Sequence, residues 1–135
     1  MPTTLLADIK TRIQTLSLGA WTTIRRGEMP PTPDAVICLF EYAGNPPNLG
    51  FGRPGLQYVN PGLQVKVRGA ATDYDGPHAM IQTIFEDLVK VQDVVIGSTN
   101  FNLITANQTP FLLERDGNQR CIWAVNFICD TEVAP

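Results

Sequence analysis

Few residues in this chain have types and spacings suited to chemistry. His78 is the single histidine, and it stands close to Asp73 and Asp75. An imidazole beside a carboxylate could act as a general base, but the chain has no G-x-S-x-G elbow to supply a nucleophile. His78 therefore reads as a partly exposed residue in the first turn of a helix. Asp73 and Asp75 fit the same helix start, where negative charge is favourable by roughly 0.3–1 kcal/mol. The three cysteines, Cys38, Cys121 and Cys129, form no C-x-x-C, and no H-x-x-x-H accompanies them, so no metal site is expected. Cys121 and Cys129 lie on one predicted strand, too far apart to bridge at about 3.3 Å of rise per residue. Cys38 sits inside an apolar run and reads as a small buried hydrophobe. Reduced thiols of a cytoplasmic protein fit this usage best.

Two further patterns invite a ligand and fail to support one. Gly50-Phe51-Gly52-Arg53-Pro54-Gly55 looks superficially like a phosphate loop, but it lacks G-K-[ST], and a proline stands where a helix should start. Lys66 and Arg68, with Tyr58 and Phe51 near them in sequence, could form a small nucleic-acid patch. The formal net charge of −3 argues against that use and against anionic membranes. No apolar run reaches the roughly 18 residues a membrane span needs, and the first apolar segment is too interrupted for a signal peptide. No catalytic constellation and no cofactor site emerge, which leaves a non-enzymatic protein that works through contacts. Charged residues make up 17% of the chain, against about 25% in a typical soluble domain, a first hint of oligomerisation.

At 135 residues the chain, 1–135, is expected to form a single α+β domain. Residues 3–18 carry Leu5, Leu6, Ile9, Ile13 and Leu16 at helical spacing, with Thr3 or Thr4 as cap and Gly19 as stop. Residues 20–26 are β-prone, and a proline-rich break covers 29–33. Ala35 to Tyr42 is continuously apolar enough for a central strand covered on both faces. Residues 44–62 contain five glycines and four prolines and predict a long loop, holding at most a short hairpin. Leu49, Phe51, Leu56, Tyr58 and Val59 make it too apolar for a linker, so it should order against a neighbour. Leu63 to Arg68 alternates strictly, which places Gln64, Lys66 and Arg68 on a wet face. Asp75 is expected to cap a second helix, with Pro77 in its first turn and Met80, Ile81, Ile84, Phe85 and Leu88 as the buried stripe, ending near Gln92. A strand over 101–107 and a hairpin of 111–115 with 120–130 about Asp116-Gly117-Asn118 complete the chain. The result is a mostly antiparallel sheet of about five or six strands packed by two helices.

Several of these pieces, in order, resemble a known family. They are Val36 to Gly44 before the proline- and glycine-rich loop, and Tyr58-Val59-Asn60-Pro61 leading into the strand that ends at Arg68. Asp73-Tyr74-Asp75 before the central helix, Gln108-Thr109-Pro110-Phe111, Glu114 to Asn118 and Val125-Asn126-Phe127 follow. Over roughly residues 36–130 the chain is similar to the phage minor capsid and tail terminator family of long, non-contractile-tailed phages. It departs at Glu114-Arg115, where the family pattern has a glycine before the arginine.

The resemblance implies a virion protein, assembled in the host cytoplasm, that forms a homo-oligomeric ring, usually hexameric. Such a ring sits at the head-proximal end of the tail tube, ends tube growth, and joins the tube protein to head–tail connector or neck proteins. DNA meets it only in transit through the lumen, and no membrane is involved. A ring needs one patch to meet a different patch. Leu49, Phe51, Arg53 and Tyr58 of the long loop are the candidates for one side, and Lys66 and Arg68 could pair with Asp73 or Glu114 of a neighbour. Alternatives are another connector, a head-completion or tube subunit, and a small ligand-binding or enzymatic domain built on His78 and Gly50–Gly55.

Overall fold

A computed structural model of the chain describes residues 4–49 and 57–133, with side chains described outside 44–49, 57–59 and 133. The first helix, α1 (Leu5–Ile13), starts where Thr4 accepts a hydrogen bond from the Ala7 N–H at 3.2 Å. Ile9 and Ile13 face the core. The helix stops short of the expected residue 18. Thr15 turns its hydroxyl onto the Arg12 carbonyl at 2.7 Å, and Leu16 N–H reaches Ile13 O, tightening the chain out of α geometry. Leu16 and Leu18 still pack on the core from this irregular segment.

Seven strands follow in one mixed sheet: β1 (Ile24–Arg26), β2 (Val36–Leu49), β3 (Gln57–Ala71), β4 (Gln92–Ile96), β5 (Thr99–Ala106), β6 (Phe111–Arg115) and β7 (Arg120–Val133). The order is β1-β2-β3-β7-β5-β4, with β6 also on β7. Only β1 and β2 run parallel; every other pair is antiparallel. The last strand is thus the middle one. β3 lines one side of it, and β5 and β6 share the other as one interrupted line. At the interruption Asn126 keeps both backbone groups occupied. Its carbonyl accepts from Asn107 N–H at 2.8 Å, and its N–H donates to Gln108 Oε1 at 3.1 Å.

The expected loop 44–62 is corrected in its larger part. β2 runs on to Leu49 and β3 begins at Gln57, pairing Asn45 with Asn60 and Leu49 with Gln57 as a long hairpin arm. Prolines are tolerated there for two reasons. β1 covers β2 only from Ile37 to Leu39, so Pro46 and Pro47 lie on a free edge, and two register shifts absorb the misfit. The expected second helix ends early: α2 (Asp75–Leu88) gives way to β4, a strand the periodicity reading did not anticipate.

α2 lays Pro77, Met80, Ile81, Ile84 and Leu88 on the sheet, as its spacing predicts. Opposite them stand Leu63, Val65 and Val67 of β3, and Cys121, Trp123, Val125, Phe127 and Cys129 of β7. Full burial of each large aliphatic or aromatic side chain contributes roughly 1.5–3 kcal/mol, so this two-layer core dominates stability. The opposite, outer face of the sheet is only half-covered, and the surface of interest lies there.

Candidate assembly surface

Strand register sets the outer face as rows of residues. Arg25, Cys38, Lys66, Ala124 and Phe111 form one row across five strands, and Val36, Arg68, Ile122 and Glu114 form the next. The alternation of β3 places Gln64, Lys66 and Arg68 here, but the wet-face expectation fails for Arg68. Its side chain is buried, at 2% exposure. The proline-rich segment after β1 folds over this end of the face and turns its carbonyls inward. Arg68 Nη2 donates to Pro30 O and Pro33 O, each at 2.7 Å, and Nε to Asp34 O at 3.1 Å. Burial, then the neighbouring Arg120, lower its pKa from the usual arginine value. A guanidinium committed to three carbonyls is not available to a neighbour's carboxylate.

Arg120, also buried, completes this clamp. Its Nη1 donates to Pro31 O at 2.7 Å and to Asp34 Oδ1 at 3.0 Å, and its Nε donates to Asp116 Oδ2 at 2.7 Å. Burial acts to lower its pKa, but Asp116 and Asp34 outweigh it and hold the group above the usual value. Asp116 in turn accepts from the backbone of Asn118 and Arg120 within the hairpin turn. Desolvation acts to raise its pKa, yet these bonds and the Arg120 guanidinium hold the carboxyl below its ordinary value. The sequence reads Asp116 only as part of the Asp-Gly-Asn turn and does not single out Arg120, four residues on. Their joint hold on residues 31–34 is not legible from it.

The remaining site candidates fall in different places. Lys66 keeps its ammonium 5.0 Å from the centre of the Phe40 ring, partly exposed on the outer face. Glu114 is exposed in the next row. The N-cap position of α2 is Tyr74, not the expected Asp75, and Asp73 just before it supplies the side-chain bond: its Oδ1 accepts from Gly76 N–H at 3.0 Å. Leu49 and Tyr58 lie in the paired arm, where Asn48 is opposite Tyr58, and Phe51 and Arg53 fall outside the described residues. At the base of the arm Tyr42 crosses β3 over Gly62. Its hydroxyl donates to Phe127 O and accepts from Asn107 Nδ2, both at 2.9 Å. Burial raises its pKa above the ordinary tyrosine value despite the Asn107 bond.

Two concavities lie among the described residues. One of about 180 Å³ is lined by Tyr42, Gln64, Asn107 and Asn126. Another of about 330 Å³ lies between Leu18, Trp21 and the α2 residues Gly76, Ala79, Met80 and Thr83. Both are uncharged. His78 stacks on Trp123, ring centres 4.5 Å apart, as part of the packing at the start of α2. All three cysteines are free and buried. Burial pushes the Cys129 thiol to about 12 and the Cys38 thiol to about 11, far from a reactive thiolate. Among the described residues no three metal-ligating side chains converge, and no helix is long and apolar enough to cross a membrane.

Comparison with known proteins bears on the fold and the family. The fold is similar to that of a chain in the virion of a native gene transfer agent (GTA) particle, with a TM-score of 0.67 and 15% identity, covering 95% of this chain and 94% of that one. No curated protein matches the sequence. Residues 12–133, from α1 to the end of β7, match the family described as bacteriophage tail terminator protein. On that match, which takes in every strand of the sheet, the chain belongs to the bacteriophage tail terminator protein family.

Proposed function

We propose that the protein is a structural, non-enzymatic ring subunit, six copies closing at the head-proximal end of the tail tube. There the ring ends tube polymerisation and offers its far side to the connector or neck proteins of the head. The observation that carries this reading is the family match over nearly the whole chain. Its structural similarity to a virion component supports it. So does the sheet, which ends at different strands on its two sides, β1 and β4 with β6, as contacts between unlike patches in a closed ring require.

In this reading the arm that bears Leu49 and Tyr58, which Phe51 and Arg53 separate in sequence, reaches a neighbouring copy or the tube. Lys66, Asp73 and Glu114 stay as rim contacts, and exposed charge pairs of that kind contribute under about 1 kcal/mol each. The apolar arm supplies most of the contact. DNA passes through the lumen of a net-negative ring without being held. The test is electron microscopy of the purified protein with and without tail tubes. Closed rings that cap one end of the tube are expected. Open filaments would point to a tube subunit, and protein that never associates with tube ends would overturn the reading.

A further inference from the structure

The sheet has two uncovered edges at one height, and we propose that they join one copy to the next into a continuous intermolecular sheet. This inference rests on the ring reading above and names its contact. Register gives the heights. Ile24 of β1 is level with Ile37, Val67, Trp123 and finally Leu112 of β6. β4 covers only the β5 portion of that side, so among the described residues no strand lies outside β1 or outside β6.

Direction is right as well. β1 runs with β2, and each later step to β3, β7 and β6 reverses direction, so β6 runs opposite to β1. A neighbour rotated about an axis along the strands therefore brings its β1 antiparallel to β6, the pairing with directly opposed hydrogen bonds. The β1 ladder is longer than its three residues, because Thr23 O and Gly27 N–H also bond to β2. β6 is an edge without proline or lysine, its charges confined to Glu114 and Arg115. Leu112 and Leu113 are each 39% exposed. Of the devices that guard free edges, β6 has a bulge between Leu112 and Glu114, while proline, lysine and a covering strand are absent among the described residues.

Charge then selects the occupant. Arg25 and Glu114 both point to the outer face from adjacent rows of the same parity. Joined without a register slip, the edges set Arg25 of one copy diagonal to Glu114 of the next, a spacing of roughly 7–8 Å that two long side chains close. Among the described residues Arg25 pairs only with Glu28, at 3.8 Å with both groups half or more exposed, and Glu114 forms no ion pair. The same height places Leu112 beside Ile24.

The experiment measures self-association of the full chain by sedimentation and mass photometry, with and without tail tubes, for Glu114→Lys, Arg25→Glu and the double exchange. Each single reversal is expected to weaken association by roughly tenfold per junction, and the double exchange to restore it. Glu86→Lys on the exposed side of α2 serves as a control and should change nothing. Restoration by the double exchange establishes the junction. Rings unchanged by either single reversal, or weakened rings that the double exchange does not restore, overturn the junction and leave the ring reading standing. Wild-type protein that forms no ring under either condition overturns both.

Discussion

Replacing Arg68 tests whether the outer face is held by the arginine clamp. In Arg68→Met the aliphatic stem stays, and the carbonyls of Pro30, Pro33 and Asp34 lose their donor. Hydrogen bonds to a charged group contribute about 1.5–3 kcal/mol each, and the low end applies here because Pro33 and Asp34 are exposed and Pro30 is only half-buried, so their carbonyls can recruit solvent. Three bonds give about 4.5 kcal/mol. Relief of repulsion from Arg120, and the apolar gain of the methionine, return about 1–2 kcal/mol. The expected loss is about 3 kcal/mol, a large share of the 5–15 kcal/mol typical of a domain. Arg68→Lys keeps the charge without the fork that reaches three carbonyls, and should lose about half as much. Urea unfolding followed by tryptophan fluorescence reads the change as a shift in midpoint at unchanged slope. A shift below about 0.5 kcal/mol for Arg68→Met, or a lysine variant as stable as the parent, would show that the segment holds its place without the guanidinium.

Three further outcomes follow from the geometry. A Cβ on Gly62 would stand 2.5 Å from Cε2 and Cζ of Tyr42, so Gly62→Ala must displace the ring and its bond to Phe127 O. It should cost about 1–3 kcal/mol in thermal or urea unfolding, and most of that should disappear when Tyr42→Ala is already present. Asp116 has a folded pKa below its ordinary value, so its contribution is present above the unfolded value and lost as pH falls through the folded one. Asp116→Asn should lower stability near neutrality and flatten its fall below about pH 4, and an acid titration of unfolding whose slope matches the parent's would contradict this. Cys129 and Cys38, with thiols at about 12 and about 11, should react with a thiol reagent at pH 8 only as fast as the chain opens. Rapid labelling at native stability, read by mass spectrometry, would contradict their burial.

Where one period governs a segment, the sequence was readable. The α2 stripe, the alternation of β3 on its core side and the two covered faces of β7 follow from spacing alone, and Asp116-Gly117-Asn118 does turn the β6–β7 hairpin. β4 escapes the periodicity because no glycine or proline separates Leu88 from Val94, so the helical spacing can be carried on to Gln92. The useful signal lay further on, in Gly97-Ser98 between β-branched runs. By its glycines and prolines the arm reads as a loop, and only topology shows that Pro46 and Pro47 occupy a free edge. Arg68 failed for a different reason. Period 2 tells which face a side chain takes, not what folds down upon that face. The backbone carbonyls of Pro30, Pro33 and Asp34, each thirty-four or more positions away, decided its environment.

The position of β7 has a consequence for how the particle acquires this part. The strand in the centre of the sheet is made after every strand it pairs with, so β3 and the β5–β6 line have no shared partner until residues 120–133 exist. Until then one half of the sheet cannot close on the other, and the row from β1 to β6 has no bridge across its middle. Loop-closure entropy makes such long-range pairing slow. A nascent or truncated chain therefore holds both of its outer edges without the span that sets their distance. The pairing of residues 120–133 with β3 on one side and the β5–β6 line on the other is thus the step that fixes the distance between the two edges.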